Sequence, residues 1–275
     1  MTEITLIPAG GLANRMKAMA AGRRLAEQCR GRLDMIWFQD WGLGCRFDDL
    51  FAPLPPLPGS GTLREASLSD LLLRDRPRRR NLWLPRLFER LSYDVCLDER
   101  EVTRRNLAGF DFATLCRGRR VWLSSHIFFI TLDIPDDIFD EFRPLPLLEA
   151  EIGRRRQALG NNVVGVHIRR TDNVESIRQS PTELFVQRMR QESADTVFYL
   201  ATDSEAEKAT LRGIFGPRIV TSESRAERGT LQGMRDAVIE MYLLSRTRRI
   251  LGSAASTYSR TAASIGRIPL EIMSV

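Results

Sequence analysis

The chain has 275 residues, enough for one large domain or two modest domains with buried cores. Hydrophobic residues make up 43% and charged residues 28%, which excludes an intrinsically disordered chain. The formal net charge of +6 suits an anionic ligand, but the arginines are spread along the chain, so we expect no nucleic-acid partner.

The amino terminus and the cysteines favour a cytoplasmic protein. Met1-Thr2-Glu3 carries an acid where a signal peptide has basic residues, and no run approaches the roughly 20 apolar residues of a membrane span. The four cysteines are widely spaced, with no CxxC pair and neither histidine near them. We therefore expect a soluble, cytoplasmic protein without a metal site, a cofactor or an integral membrane span.

The first elements in the chain predict a strand, a turn and a helix. A short strand at 4–7 is broken by Gly10-Gly11, and apolar residues at helical spacing follow over 12–29. Gly10 and Gly11 would bring backbone N–H groups and the positive end of the helix dipole near an anion. Asn14 is either a second contact to that ligand or an ordinary residue of the first helical turn.

The next stretch is harder to interpret. Proline and glycine dominate its first part, and an arginine cluster at 74–80 predicts an exposed loop. A strand is expected at 121–130, where His126 lies among aromatic residues, as a buried core histidine or as a cleft residue. A proline-punctuated connection follows.

From Asn161 onward the pattern becomes regular. Four apolar runs each precede a polar turn and a helix pattern, which predicts a doubly wound parallel sheet; the runs cover 162–168, 196–202, 218–221 and 249–252. We therefore expect an α/β protein with two Rossmann-like domains facing a central cleft. The amino-terminal domain would span 1–150, with an irregular insertion at about 41–120, and the carboxy-terminal domain 151–275.

The end of the strand at 162–168 carries the most informative residues. His167 and Arg169 alternate along the strand and so point to the same side, and Arg170 and Asp172 follow. A guanidinium at this position can hold a diphosphate with two parallel hydrogen bonds, and a second can offset leaving-group charge. We assign these roles to Arg169 and Arg170; the alternative is surface ion pairing. Asp172 either orients an arginine, contacts a sugar hydroxyl or caps a turn.

Two further segments follow predicted strands in the same way. Asp203 can accept hydrogen bonds from guanine or from a ribose hydroxyl, or it can cap the next helix. Ser253 to Ser259 offer small side chains and free N–H groups at a helix start, which suit a phosphate or a capping turn.

The run Val-His-Ile-Arg-Arg-Thr-Asp ending at Asp172 resembles the HxRRTD motif of α-1,6-fucosyltransferases and rhizobial nodulation fucosyltransferases. Gly-Gly-Leu-Ala-Asn-Arg-Met from Gly10 resembles the glycine-rich opening of the wider fucosyltransferase group. Leu-Ala-Thr-Asp-Ser ending at Ser204 resembles its ATD segment, and Ser-Ala-Ala-Ser-Thr-Tyr-Ser from Ser253 its carboxy-terminal Ser/Thr motif. The order of the four segments also agrees with that group.

The resemblance implies a GT-B fold and a metal-independent, inverting transfer of fucose from GDP-fucose to a glycan or related hydroxyl acceptor. It also implies roles for six residues: Arg169 at the β-phosphate, Arg170 in transfer, His167 and Asp203 at guanine, and Ser256 and Thr257 near the phosphates. The alternative function is a non-catalytic nucleotide- or polyanion-binding protein of the same fold. For a general base the sequence leaves open Asp40, Asp48, Asp49, His126 or no dedicated group.

Overall fold

The computed structural model describes residues 1–40, 42–74, 83–130, 135–224 and 226–275. The chain forms two compact units, Met1–Phe142 and Arg143–Val275. The boundary expected at 150 lies inside a helix of the second unit, Pro146–Ala158. Most of the arginine cluster at 74–80, expected to form a loop, lies outside the described residues.

The first unit is built on a five-stranded parallel sheet with the order β3-β2-β1-β5-β4. Its strands are β1 (Glu3–Pro8), β2 (Arg32–Trp37), β3 (Leu63–Glu65), β4 (Val95–Leu97) and β5 (Arg120–Ser125). Its helices are α1 (Leu12–Cys29), α2 (Leu68–Leu73), α3 (Trp83–Ser92), α4 (Glu99–Leu107) and α5 (Phe112–Cys116). The segment expected to be an irregular insertion therefore supplies two strands of this sheet. Each has only three residues, too few to show a periodic pattern.

The second unit has a five-stranded parallel sheet with the order β10-β9-β6-β7-β8. Its strands are β6 (Val163–Ile168), β7 (Val197–Thr202), β8 (Ile219–Thr221), β9 (Ile250–Ser253) and β10 (Leu270–Met273). Its helices are α6 (Pro146–Ala158), α7 (Val174–Gln179), α8 (Thr182–Met189), α9 (Glu205–Phe215), α10 (Leu231–Leu244) and α11 (Thr257–Gly266). When the strands of this unit are numbered from β6 along the chain, their order in the sheet is 3-2-1-4-5. This is the strand order of a Rossmann fold, as the sequence predicts.

The central strand β6 explains why the second sheet is so regular. Every residue of Val163–Ile168 is buried, because helices cover both faces of a doubly wound sheet. Val164, Val166 and Ile168 of this strand pack into one core with Phe185, Phe198 and Leu200. The first residues beyond the strand are therefore held in place by a rigid core.

None of the helices in the described ranges has the length and apolar character needed to cross a lipid bilayer.

Candidate functional site

Three strands of the second unit end side by side with polar residues. Arg169 follows β6, Asp203 follows β7 and Ser253 ends β9. The backbone N–H of Arg169 donates to Ser253 Oγ at 3.1 Å, and Arg169 Nη1 lies 2.5 Å from Asp203 Oδ2. The order of the strands reverses between β6 and β9, and α/β sheets bind ligands at such a switch point. The structure therefore brings these three predicted residues together where a ligand is expected.

The carboxylate of Asp203 organises the turn that follows β6. Its Oδ1 accepts the Arg170 N–H at 2.8 Å, and its Oδ2 accepts the Thr171 hydroxyl at 2.7 Å. Burial raises the pKa of Asp203, but hydrogen bonds from Thr171 and the charge of Arg169 outweigh it and keep the pKa below its usual value. The carboxylate is ionised and saturated with donors from this turn. Its predicted contact with guanine or ribose stays a prediction.

Asp172 contacts two arginines at the rim of the same turn. It accepts a hydrogen bond from Arg169, and its other oxygen lies 3.0 Å from Arg228 Nη1. Of the three roles left open by the sequence, these contacts favour orientation of an arginine.

The guanidinium of Arg170 points to α9. Its Nε donates to Glu207 Oε1 at 2.7 Å, and its Nη2 donates to the Thr182 hydroxyl at 3.0 Å. Thr182 in turn donates to the same Glu207 oxygen at 2.7 Å. Glu207 also lies in the first turn of α9, where the Ser204 hydroxyl accepts its backbone N–H. The predicted role of Arg170 in offsetting leaving-group charge stays a prediction, and the structure adds that this arginine is fixed by Glu207.

His167 lies one residue inside β6 and is buried against an aromatic ring. Its ring centroid lies 5.0 Å from that of Tyr258 in α11, whose hydroxyl donates to Ala237 O. The Nδ1 atom of His167 has no hydrogen-bond partner among the described residues. Burial, followed by the charge of Arg169, lowers the pKa of His167 to about 4. The imidazole is therefore neutral at physiological pH, and its buried Nδ1 is an unpartnered polar atom at the end of β6.

Glu240 of α10 is a residue that sequence reasoning missed. It is half-buried and lies near Tyr258, and burial raises its pKa to about 7. The charge of Lys208 opposes this effect and that of Asp236 adds to it. The sequence does offer a sign of this residue, because Glu240 is an acid in an otherwise apolar segment of α10. Its neighbours Val238, Ile239 and Met241 are buried.

The turn from β9 into α11 has an unusual backbone. Ala255 adopts φ +52°, which is strained for a residue other than glycine, and its carbonyl accepts from Asn173 Nδ2 at 2.9 Å. Ser256 is the N-cap of α11, yet its buried side chain makes no capping hydrogen bond. Thr257 begins the helix, and the hydroxyl of buried Ser259 has no partner among the described residues. These small polar groups surround a helix N-terminus, as an anion site requires.

In the first unit, a buried arginine holds the glycine turn. Gly10 has φ +82°, and a Cβ there would meet Asn14 Nδ2 at 3.0 Å, so the position requires glycine. Arg15 is fully buried and donates from Nε to Gly10 O at 2.9 Å. It also donates to Phe38 O and forms an ion pair with Asp40. Arg15 therefore supports the turn from inside the fold.

Gly11 and Asn14 remain candidates at the start of α1. Gly11 is the N-cap of this helix and provides no side-chain capping bond, and Asn14 Oδ1 has no partner among the described residues. Their predicted contact with a donor ligand stays a prediction.

The sheet of the first unit also has a switch point, between β1 and β5, and His126 lies there. Ala9 N–H donates to Ser125 O at 2.8 Å, so His126 directly follows a residue bonded to the glycine turn. Its side chain is 32% exposed, and its Nδ1 lies 3.1 Å from Glu99 Oε2. The two groups are close enough for an ion pair, but Nδ1 and this oxygen do not form a hydrogen bond. The expectation of a buried core histidine is wrong, because β5 ends at Ser125.

The other acids considered for proton transfer are engaged locally. Asp40 pairs with Arg15 at 2.9 Å, and Asp49 accepts the Arg46 N–H at 3.0 Å. Asp48 is exposed, 4.0 Å from Arg46 Nη2. Of the four candidates, His126 is the one at a strand end beside the glycine turn. The described residues contain no group of three or more His, Cys, Asp and Glu side chains placed to hold a metal ion.

Comparison with solved structures identifies the fold. NodZ α-1,6-fucosyltransferase, in a crystal soaked with GDP-fucose, matches with a TM-score of 0.65 at 14% identity, over 96% of this chain and 92% of NodZ. The fold is that of GT-B fucosyltransferases. Arabidopsis thaliana FUT1 in complex with GDP matches with a TM-score of 0.62 at 14% identity, over 99% of this chain and 70% of FUT1. POFUT1 in complex with GDP matches with a TM-score of 0.56 at 9% identity, over 100% of this chain and 99% of POFUT1.

No protein-family model matches the sequence, and no curated protein matches it.

Proposed function

We propose that this protein is a metal-independent, inverting glycosyltransferase that transfers fucose from GDP-fucose to a hydroxyl of a glycan or related acceptor. The observation that carries the proposal is the group of Arg169, Ser253 and His167 at the switch point of the second sheet. The fold supports it, since the solved fucosyltransferases with this fold include crystals with GDP and GDP-fucose.

Arg169 is the group that we assign to the diphosphate. In the structure its guanidinium is bound to Asp203 and Asp172, so it is oriented before any ligand arrives. An arginine has five N–H donors and can keep one carboxylate while it grips a phosphate with two others. The N-terminus of α11 supplies further N–H groups, and the Ser256 hydroxyl is not used for capping.

His167 and Glu240 are the groups that we assign to guanine. The guanine edge presents N–H donors that adenine and uracil do not present in the same arrangement. Glu240 is an acceptor that sits near Tyr258, and Tyr258 stacks beside His167. A carboxylate whose pKa lies near 7 is stabilised in its charged form when it accepts such N–H groups.

The reaction breaks the bond between the anomeric carbon of fucose and the β-phosphate oxygen, and that electron pair leaves with GDP. The acceptor hydroxyl oxygen forms the new bond to the anomeric carbon and loses its proton. Arg169 and the α11 N–H groups would stabilise the charge that develops on the departing diphosphate. In this way the protein's own cations and dipoles take the part that a divalent cation takes in other transferases.

We assign to His126 the role of general base, which takes the proton from the acceptor hydroxyl. A carboxylate beside Nδ1 favours the tautomer with a proton on Nδ1, which leaves Nε2 as the basic atom. Glu99 is the first residue of α4. The proposal assigns the hydroxyl proton to Nε2 of His126 and places the Glu99 carboxylate beside the opposite ring nitrogen, Nδ1.

Calorimetric titration of the purified chain with GDP, UDP and ADP tests the donor assignment. We expect GDP to bind at least about tenfold more tightly than the other two, a difference of about 1.4 kcal/mol. A preference for UDP or ADP, or binding of none of the three, contradicts the proposal.

Release of GDP from GDP-fucose separates an enzyme from a pure binder. Transferases of this chemistry hydrolyse their donor slowly when water replaces the acceptor, so GDP should accumulate with the purified protein. Binding of GDP with no release from GDP-fucose, even with a panel of glycans, would favour the non-catalytic alternative. EDTA should leave release unchanged, and a requirement for Mg²⁺ or Mn²⁺ would contradict the metal-independent mechanism.

A further inference from the structure

Helix α3 turns its apolar side outward. Trp83, Leu84, Leu87 and Leu91, the α3 strip, are exposed by 74%, 41%, 47% and 74%. At about 100° per residue these four side chains fall within one quadrant or slightly more of the helix surface. On the other side of the helix Pro85 and Glu89 are buried. A helix that buries a carboxylate and exposes tryptophan and leucine presents a surface suited to a partner.

The neighbouring helix α2 also exposes leucines. Helix α2 packs beside α3 and exposes Leu68 and Leu72, which lie four residues apart and so share one side. The half-buried residues Leu71 and Tyr93 pack inward against Ile7 and Trp122. The apolar surface is therefore carried on an element that is anchored to the sheet by its other side.

Positive charge borders the strip. Arg86 and Arg90 are exposed, lie four residues apart on the flank of the leucines, and form no ion pair with the residues that the structure describes. An apolar side with tryptophan and leucine next to arginines is the composition of helices that lie in a membrane interface.

We infer that the α3 strip docks on the surface of an anionic lipid bilayer, with Trp83 and the leucines in the interface and Arg86 and Arg90 at the lipid phosphates. The charges of Arg86 and Arg90 favour a lipid surface over a neutral apolar partner. An anionic leaflet attracts each arginine, and the apolar part of the interface accommodates the leucines. The chain carries a net charge of +6, which adds to the attraction. The inference concerns where the protein acts and does not depend on which reaction it catalyses.

Flotation of the whole chain with vesicles tests it. We expect binding to vesicles of phosphatidylcholine mixed with phosphatidylglycerol, little binding to phosphatidylcholine alone, and release at high salt. The double variant Leu87→Asp with Leu91→Asp should bind at least about tenfold more weakly, since burial of one leucine is worth that much or more. Arg86→Gln with Arg90→Gln should lose the preference for anionic lipid.

Leu107→Asp provides the control, because Leu107 is an exposed leucine of α4 outside the strip. It should bind vesicles like the unchanged chain, and circular dichroism should show all variants folded. The inference is overturned if the unchanged chain does not float with anionic vesicles or if Leu107→Asp weakens binding as much as the double variant. It is also overturned if the chain elutes as a dimer that only the strip variants dissociate, because the strip would then be a contact between copies.

Discussion

Arg169 and Asp203 form an ion pair at the ends of two neighbouring parallel strands, with Nη1 2.5 Å from Oδ2. The same carboxylate accepts backbone and hydroxyl donors from the turn that carries Arg169, so turn and guanidinium are fixed by one group. A preoriented guanidinium loses little side-chain entropy when a diphosphate binds.

Arg169→Lys should weaken GDP binding by about tenfold or more, although the charge is kept. Lysine is a point donor and cannot hold a carboxylate and a phosphate in the fixed directions of a guanidinium. Titration with GDP and with guanosine measures the effect, and guanosine affinity should change little because guanosine has no phosphates. Arg178→Lys, at an exposed arginine of α7, is the control. Equal losses for GDP and guanosine would remove Arg169 from the phosphates.

His126→Gln should lower kcat for transfer by about a hundredfold or more, the usual contribution of a general base, while GDP affinity stays unchanged. Glu99→Gln should give a smaller loss of kcat with little change in KM, because Glu99 lies beside Nδ1 and does not itself take the proton. Transfer kinetics and GDP titration on each variant provide the measurement. Transfer at the normal rate in His126→Gln would show that the reaction needs no base at this position. Failure of both the variant and the unchanged chain to bind GDP would instead count against the donor assignment.

His167→Phe should remove part of the acid sensitivity of the fold. Burial lowers the pKa of His167 to about 4, below the ordinary value near 6.5, so the unfolded chain takes up a proton first as pH falls. This histidine therefore costs stability as pH falls from about 6.5 towards 4, by about 2 kcal/mol at pH ~5. Urea unfolding at neutral and acidic pH should show a steeper loss for the unchanged chain than for the variant. Parallel curves would contradict the burial of a neutral imidazole.

Arg15→Met should destabilise the protein by about 3–5 kcal/mol, because it leaves Asp40 and two carbonyls without their buried partner. Arg15→Lys should recover only part of this, since an ammonium cannot reach all three groups. Urea unfolding gives the free energies, with Arg24→Met as control, because Arg24 forms an exposed pair with Glu27 worth less than about 1 kcal/mol. Equal effects of Arg15→Met and Arg24→Met would contradict the structural role of Arg15.

The sequence predicts the second unit well, and the reason is physical. Long apolar strands alternate with capped helices, and parallel strands end at one edge, so Arg169, Asp203 and Ser253 had to come together. The partner of Arg170 was not predictable in this way. Glu207 lies in the first turn of α9, where an acid has a sufficient local explanation as a capping residue.

The first unit was harder to predict from its residues. Strands β3 and β4 have three residues each, too few to show alternation of apolar and polar side chains. The sequence therefore does not distinguish them from the irregular segment around them. Arg15 falls in the first turn of a helix, where an arginine is ordinarily solvated, and only the fold shows that Gly10, Phe38 and Asp40 surround it. For His126 the sequence left a core or a cleft position open, because the apolar run continues beyond the end of β5 at Ser125.

The strand order of the first unit has a consequence for how this unit is made. Strand β5 lies between β1 and β4 and pairs with both, although it is the last of the five strands of this unit along the chain. Glu3 pairs with Arg120, and Val95 with Val121. The sheet therefore cannot be completed on the ribosome until residues up to Ser125 have emerged, and closure of so long a loop is slow. Until then β1 is left with one open edge and β4 has no neighbour, so the nascent chain is exposed to aggregation in that interval.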